Sequence, residues 1–186
     1  GATTQIGKQI RNTADETHQE FPKEVYSANK MAAEKYVMIY CHTYNIPGAI
    51  IRLPNTYGPR AAINNPELTF NNYFIGLAIQ KKNIPVFGNG KQKRNIIFIE
   101  DVVEAIYLTS LKKLKDPLVL LATGNEHYSL RYIAKTTSKL IGGKVIYKPW
   151  PNEKYKSEIG DVKLSNKNIK KFIDWKPAID IQQGIK

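Results

Sequence analysis

The chain has 186 residues, 42% of them hydrophobic, enough for one well-buried core or for part of a larger domain. It contains no run of about 18 apolar residues, so no bilayer span is expected, and its first residues lack the charged-then-apolar layout of a secretion signal. The formal charge is +12, from 28 basic against 16 acidic residues, which points toward an anionic partner.

The lysines are spread from Lys8 to Lys186 and arginine is scarce, so a nucleic-acid surface is not expected. Phosphorylated small molecules remain, as do surface lysines without a role. The single cysteine, Cys41, can form no internal disulfide. It reads as a small buried hydrophobe on a helix, and a reducing cytoplasm is the expected location.

In chain order, "GATTQIGK" reads as a strand running out into a loop, with Gly7 as a break. A polar connector from Gln9 to Lys23 is expected to be irregular. From Val25 to Tyr44 the apolar positions Val25, Ala28, Ala32, Tyr36, Val37 and Tyr40 recur at three and four, which predicts a helix ended by Asn45 and Pro47. "GAIIRL" is a buried strand and "PNTYGPR" a turn leading away from its end. Residues 68–80 are helical, "IPVFG" is a strand, "NGKQKR" a turn and "NIIFI" another strand. Asp101 is expected to cap the helix "VVEAIYLTSLKK", its carboxylate accepting from the free amides of the first turn. "LVLLAT" is a strand, "SLRYIAKTTSKLIG" a helix closed by Gly142, and "KVIYKPW" a final strand. A short helix "NKNIKKFI" and the closing "DWKPAIDIQQGIK" complete the chain. The order of elements is α/β, with no internal repeat.

Tyr26 and Lys30 are four apart, so on a helix they share one face and an ammonium can sit beside a phenol. A positive charge there favours the phenolate and suits the tyrosine to general-base work. In a chain this rich in Tyr and Lys about one such pair is expected by chance, so the spacing alone carries little. His18, His42 and His127 are scattered and suggest no metal site.

Six motifs follow one another: Tyr26-x-x-x-Lys30, Arg52-Leu-Pro-Asn55-Thr-Tyr-Gly-Pro59, Pro85-Val-Phe-Gly-Asn-Gly-Lys-Gln-Lys-Arg94, Glu100-Asp101-Val, Thr123-Gly124-Asn125 and Asp174-Trp-Lys-Pro177. Each alone is weak. Together, in this order and spacing, they resemble the second half of the extended short-chain dehydrogenase/reductase family, specifically its nucleotide-sugar epimerases and dehydratases.

The resemblance implies a partial Rossmann-like doubly wound parallel sheet with a small α/β substrate-binding lobe. Residues 1–60 would belong to the cofactor domain and 61–186 mainly to the nucleotide-sugar lobe, with 95–125 returning to the Rossmann-like sheet. It implies Tyr26 and Lys30 as the catalytic pair, with Lys30 also holding the ribose of NAD or NADP and Pro54 beside the cofactor. Thr3 and Thr4 fall where dehydratases carry an acidic pair. Two threonines cannot supply that acid and base, which favours epimerase or keto-sugar reductase chemistry over 4,6-dehydration. Ala2 stands where the family has a hydroxyl that hydrogen-bonds the reacting oxygen, with Thr3 the next candidate.

For the nucleotide-diphosphate sugar, the resemblance implies Asn55 and Arg94 at the diphosphate, Phe87 against the base and Asp161 at the ribose. Arginine suits a diphosphate because its planar fork makes two charge-assisted bonds. A surface pair with Glu100 is the plainer reading of Arg94, and a core aromatic that of Phe87. Glu158 occupies a place where the family often has a second phosphate-binding arginine. No glycine-rich turn opens a helix after a strand here, so the cofactor's pyrophosphate cradle is missing. The chain is accordingly expected to be part of a longer parent, to bind NAD weakly or not at all by itself, and to be inactive alone. A homo-oligomer is expected, without nucleic-acid or membrane partners. A non-catalytic nucleotide-sugar binding or interaction module is the competing reading.

Overall fold

The computed structural model describes residues 1–186. The chain opens with a 3-10 turn, Thr3–Ile6, followed by α1 (Val25–Tyr44), β1 (Ala49–Arg52) and β2 (Asn55–Tyr57). Next come α2 (Phe70–Ile79), β3 (Asn83–Phe87), β4 (Lys93–Phe98), α3 (Ile99–Ser110), β5 (Leu118–Leu121) and β6 (His127–Ser129). The chain closes with α4 (Leu130–Leu140), β7 (Lys144–Lys148), α5 (Asn152–Ser157), α6 (Lys167–Ile173) and α7 (Ile181–Ile185).

The pairing is mostly parallel. β1 runs beside β5 with Ala49 opposite Leu118, β2 beside β4 with Asn55 opposite Ile96, and β3 beside β7 with Asn83 opposite Lys144. β6 adds to β4 antiparallel. Aliphatic runs such as "AIIR" and "LVLL" suit strands covered by helices, which is where parallel pairs are stable. One core gathers Ile97, Val102, Ala105, Leu120, Ile169 and Trp175 between β5, α3 and α6. A larger one packs α2, α4 and α7 around β3 and β4 through Phe74, Ile84, Val86, Ile96, Ile133 and Ile181. The α/β class with parallel strands, expected from the sequence, is the architecture seen, its strands grouped as β1-β5, β2-β4-β6 and β3-β7.

Several local expectations are corrected. The opening segment is a strand only at one point, the bridge from Ala2 to Leu53, because the chain turns at once into the 3-10 helix. There the Gln5 side chain accepts from Ala2 N at 2.8 Å. Within "PNTYGPR", the residues between the prolines form the short strand β2 rather than a turn. Asp101 does not cap α3, whose N-cap is Phe98. It sits inside the first turn, buried, and its two oxygens accept from Ala178 N at 2.8 Å and Ile179 N at 3.2 Å.

α1 has the predicted limits, and Asn45 ends it in the left-handed region at φ 52°. Its buried side is not the apolar one. Ser27, Glu34 and Cys41 are buried, with Met31 and Met38 partly so, a four-and-three spacing on one face. Val25, Tyr36, Val37 and Tyr40 are exposed. The elements β6, α5 and α7 were not anticipated. α7 nevertheless carries a readable start, since Asp180 Oδ1 accepts from Gln182 N and Gln183 N, both at 2.8 Å.

Candidate functional site

Open α/β sheets bind ligands beyond the carboxyl ends of their strands. At the carboxyl end of β1, Leu53 N donates to Gly1 O at 3.3 Å and Thr3 N to Leu53 O at 3.0 Å. That pairing sets the Thr3-Thr4 turn directly after the strand, with Thr3 buried and Thr4 exposed. A cavity of about 120 Å³ lined by Thr4, Glu24, Ser27, Ser157 and Ile159 joins this turn to the start of α1 and to the segment after α5. On the first turns of α1, Lys30 Nζ lies 5.5 Å from the centre of the Tyr26 ring. Both side chains are exposed, Tyr26 at 55%. Pro54 lies half-buried between β1 and β2.

A buried ionic network holds these pieces. Arg52 on β1 donates through Nε to Glu34 Oε2 at 2.9 Å and through Nη2 to Glu34 Oε1 at 2.6 Å, and it also pairs with Glu20. Gln5 Nε2 donates to Glu34 Oε2 at 3.2 Å, tying in the threonine turn. Burial pushes the Glu34 carboxyl up, but the hydrogen bond and charge of Arg52, aided by Gln5 and Lys35, outweigh it and hold the group below the usual range. Burial disfavours the Arg52 cation, and its bond to Glu34 together with the charges of Glu34, Glu20 and Glu16 raises its pKa above the ordinary value. Sequence reasoning missed this network. Its signal was Glu34, four residues beyond Lys30 on the same helix.

A second group lies at the start of β4. Asn55 Nδ2 donates at 3.2 Å to the carbonyl of Asn95, the residue that follows Arg94 on β4. Asp161 Oδ1 accepts from Lys93 N at 2.9 Å. Arg94 is ion-paired, but with Glu158 at 2.6 Å rather than with Glu100. The structure thus gathers Asn55, Arg94 and Asp161 around one short stretch of strand. Phe87, at the end of β3, is half-buried. It packs against Trp150 with the rings tilted by 37° and their centres 5.4 Å apart, and Lys154 Nζ stands 6.0 Å from its ring centre. Phe70, Tyr73, Pro85, Phe87, Leu130 and Lys154 line a cavity of about 300 Å³ with apolar walls and one cation. Trp150 was not singled out from the sequence.

Two of the three histidines have structural partners, and His42 is exposed on α1. His18 Nε2 accepts from Ile10 N at 3.2 Å, and His127 Nε2 accepts from Leu164 N at 2.8 Å. Burial pushes the His127 pKa below its ordinary value. No group of three or more His, Cys, Asp or Glu could hold a metal ion, and no helix is long and apolar enough to cross a membrane.

Residues 1–120 match the model of the NAD dependent epimerase/dehydratase family. The chain is 30% identical over 168 residues to a UDP-glucuronate 4-epimerase of Thermodesulfobacterium geofontis, covering 89% of this chain and 49% of that protein. It is likewise 30% identical over 184 residues to the human dTDP-D-glucose 4,6-dehydratase, covering 97% of this chain and 51% of that one. It therefore spans about half the length of these relatives. Among solved structures, a UDP-glucose 4-epimerase of Thermotoga maritima with UDP-glucose superposes with a TM-score of 0.88 at 20% identity, covering all of this chain and 59% of that one. With mostly parallel strand pairing and a family match over residues 1–120, the chain belongs to the NAD dependent epimerase/dehydratase family.

Proposed function

We propose that this chain carries the proton-transfer pair and the nucleotide-sugar lobe of an NAD(P)-dependent nucleotide-sugar epimerase or related keto-sugar reductase. The observation that carries this reading is the exposed Tyr26–Lys30 pair on the first turns of α1, with the ammonium 5.5 Å from the centre of the phenol ring. Tyr26 Oη is the atom that takes and returns the sugar hydroxyl proton. Lys30, on the same face of α1, donates to ribose hydroxyls. A nicotinamide group, when bound, supplies the hydride acceptor.

The residues present fit the nicotinamide-ribose end of such a cofactor. The glycine-rich turn that would face its pyrophosphate is not among them, and tight NAD binding by these 186 residues alone is not expected. Thr3 and Thr4 offer hydroxyls and no carboxylate, which supports epimerase or reductase chemistry over dehydration. Asn55, Arg94 and Asp161 are proposed at the diphosphate and ribose, and the Phe87 cavity at the base, where an aromatic wall can stack. The single buried thiol, Cys41, suits a cytoplasmic protein.

One observation favours the non-catalytic reading: Ala2, buried at the threonine turn, has no hydroxyl for a reacting oxygen. Replacing Tyr26 by Phe in the gene product that carries this chain separates the two. Loss of sugar epimerisation or reduction by about 100-fold or more, with UDP binding retained, is expected of the relay. An unchanged turnover number would remove Tyr26 from the chemistry.

A further inference from the structure

Taking Arg94 as the diphosphate-holding residue proposed above, we propose that Glu158 is a built-in competitor for that diphosphate and sets the affinity and specificity of the site. A single carboxylate oxygen, Glu158 Oε1, receives three donors: Arg94 Nη2 at 2.6 Å, Gly160 N at 2.9 Å and Ile159 N at 3.1 Å. Two successive backbone amides and a guanidinium converging on one oxygen is how proteins hold a phosphate oxygen. Here the chain's own carboxylate fills that place. Gly160 makes the turn possible with φ at +77°, a region that favours glycine.

The guanidinium is fixed and partly used. Arg94 Nη1 donates to Lys93 O at 2.9 Å and to Gly160 O at 2.6 Å, so only Nε–H and the second Nη2 proton remain for a ligand. The Arg94 and Glu158 side chains are 15% and 18% exposed, which weakens screening by water. A phosphate reaching the open donors meets a like charge within a few ångströms. Lys154 is turned to another carboxylate, its ammonium pairing with Glu67 at 3.0 Å. A diphosphate must therefore displace the Glu158 carboxylate from Arg94 and the two amides or bind more weakly beside it. The departure from arginine at this position turns a clamp into a contest between two anions.

Titration calorimetry of the 186-residue chain with UDP, inorganic pyrophosphate and uridine tests this with the wild type, Glu158→Gln and Arg94→Ala. Gln keeps an acceptor for the amides of Ile159 and Gly160 and removes only the charge, so the fold is expected to survive. A second variant, Glu158→Ala, guards against an unfolded Gln variant. UDP and pyrophosphate are expected to bind about tenfold more tightly to the Glu158 variants, with uridine unaffected. Amide NMR of the wild type is expected to show the Ile159 and Gly160 signals moving on addition of UDP. Equal or weaker UDP binding by the Glu158 variants, while Arg94→Ala loses it, overturns the competition and leaves the diphosphate reading standing. UDP binding to Arg94→Ala at wild-type strength overturns the diphosphate reading itself. Absence of measurable UDP binding by every Glu158 variant also overturns the proposal.

Discussion

Arg52 and Glu34 meet at two points inside the protein, Nε to Oε2 at 2.9 Å and Nη2 to Oε1 at 2.6 Å, with the two side chains 3% and 1% exposed. The pair locks α1 to β1, and Gln5 extends the lock to the threonine turn. Glu34→Gln leaves the buried Arg52 cation with Glu20 as its remaining carboxylate partner. The substitution is expected to lower unfolding stability by about 1.5–3 kcal/mol, the size of a hydrogen bond to a charged group, read from urea denaturation. The folded-state pKa of Glu34 lies below its ordinary value of 4.5. Its stabilisation is therefore complete above that value and lost as pH falls through the lower folded value. Identical acid unfolding of wild type and variant would contradict this.

His127 gives a second, milder acid transition. Its ring is held neutral, accepting from Leu164 N at 2.8 Å, and burial depresses its pKa below 6.5. The unfolded chain therefore binds a proton more readily than the folded one as pH drops below that value. Stability is present above it and declines beneath it. Melting temperature should begin to fall just under pH 6.5, and His127→Gln should flatten that part of the profile while leaving the Glu34 region intact.

Asp101 fastens the segment after α6 to α3 by accepting from Ala178 N and Ile179 N. Asp101→Ala strands two backbone amides and should reduce stability by about 2–3 kcal/mol, since bonds to a charged group are among the stronger ones. Hydrogen exchange is the sharper readout: residues 177–181 should lose protection before the strands do. Uniform loss across the chain would mean that Asp101 acts on the whole core instead.

The exposed strip on α1 includes Tyr36 at 65%, Tyr40 at 60% and Val37 at 45% exposure. A run of this kind suits an interface, and the homo-oligomer expected from the sequence predicts a second copy of the chain there. Sedimentation should detect a dimer that Tyr40→Glu shifts toward monomer at the same concentration. A wild type that sediments as a monomer at tens of micromolar (roughly the range where weak apolar contacts persist) would reject the proposal.

The sequence by itself determined the α/β order, the span of α1, most strands and the motif residues, because these depend on local periodicity, turn chemistry and spacing. "AIIR" and "LVLL" could be read as buried strands without knowing that Ala49 faces Leu118. Short elements were illegible for the complementary reason: β6 has three residues, too few for any period, and exists because β4 offers it hydrogen bonds. Partners were likewise out of reach. Asp101 has the chemistry of a cap, yet two amides nearly eighty residues away claim its oxygens. Glu34 lies in the middle of the buried face of α1, where a hydrophobic pattern cannot reveal it, because its burial depends on Arg52 arriving from β1. The same holds for Glu158: sequence placed a carboxylate where an arginine is usual, and only the folded chain decides that it faces Arg94, since ion pairing across 64 residues is a property of packing and not of spacing.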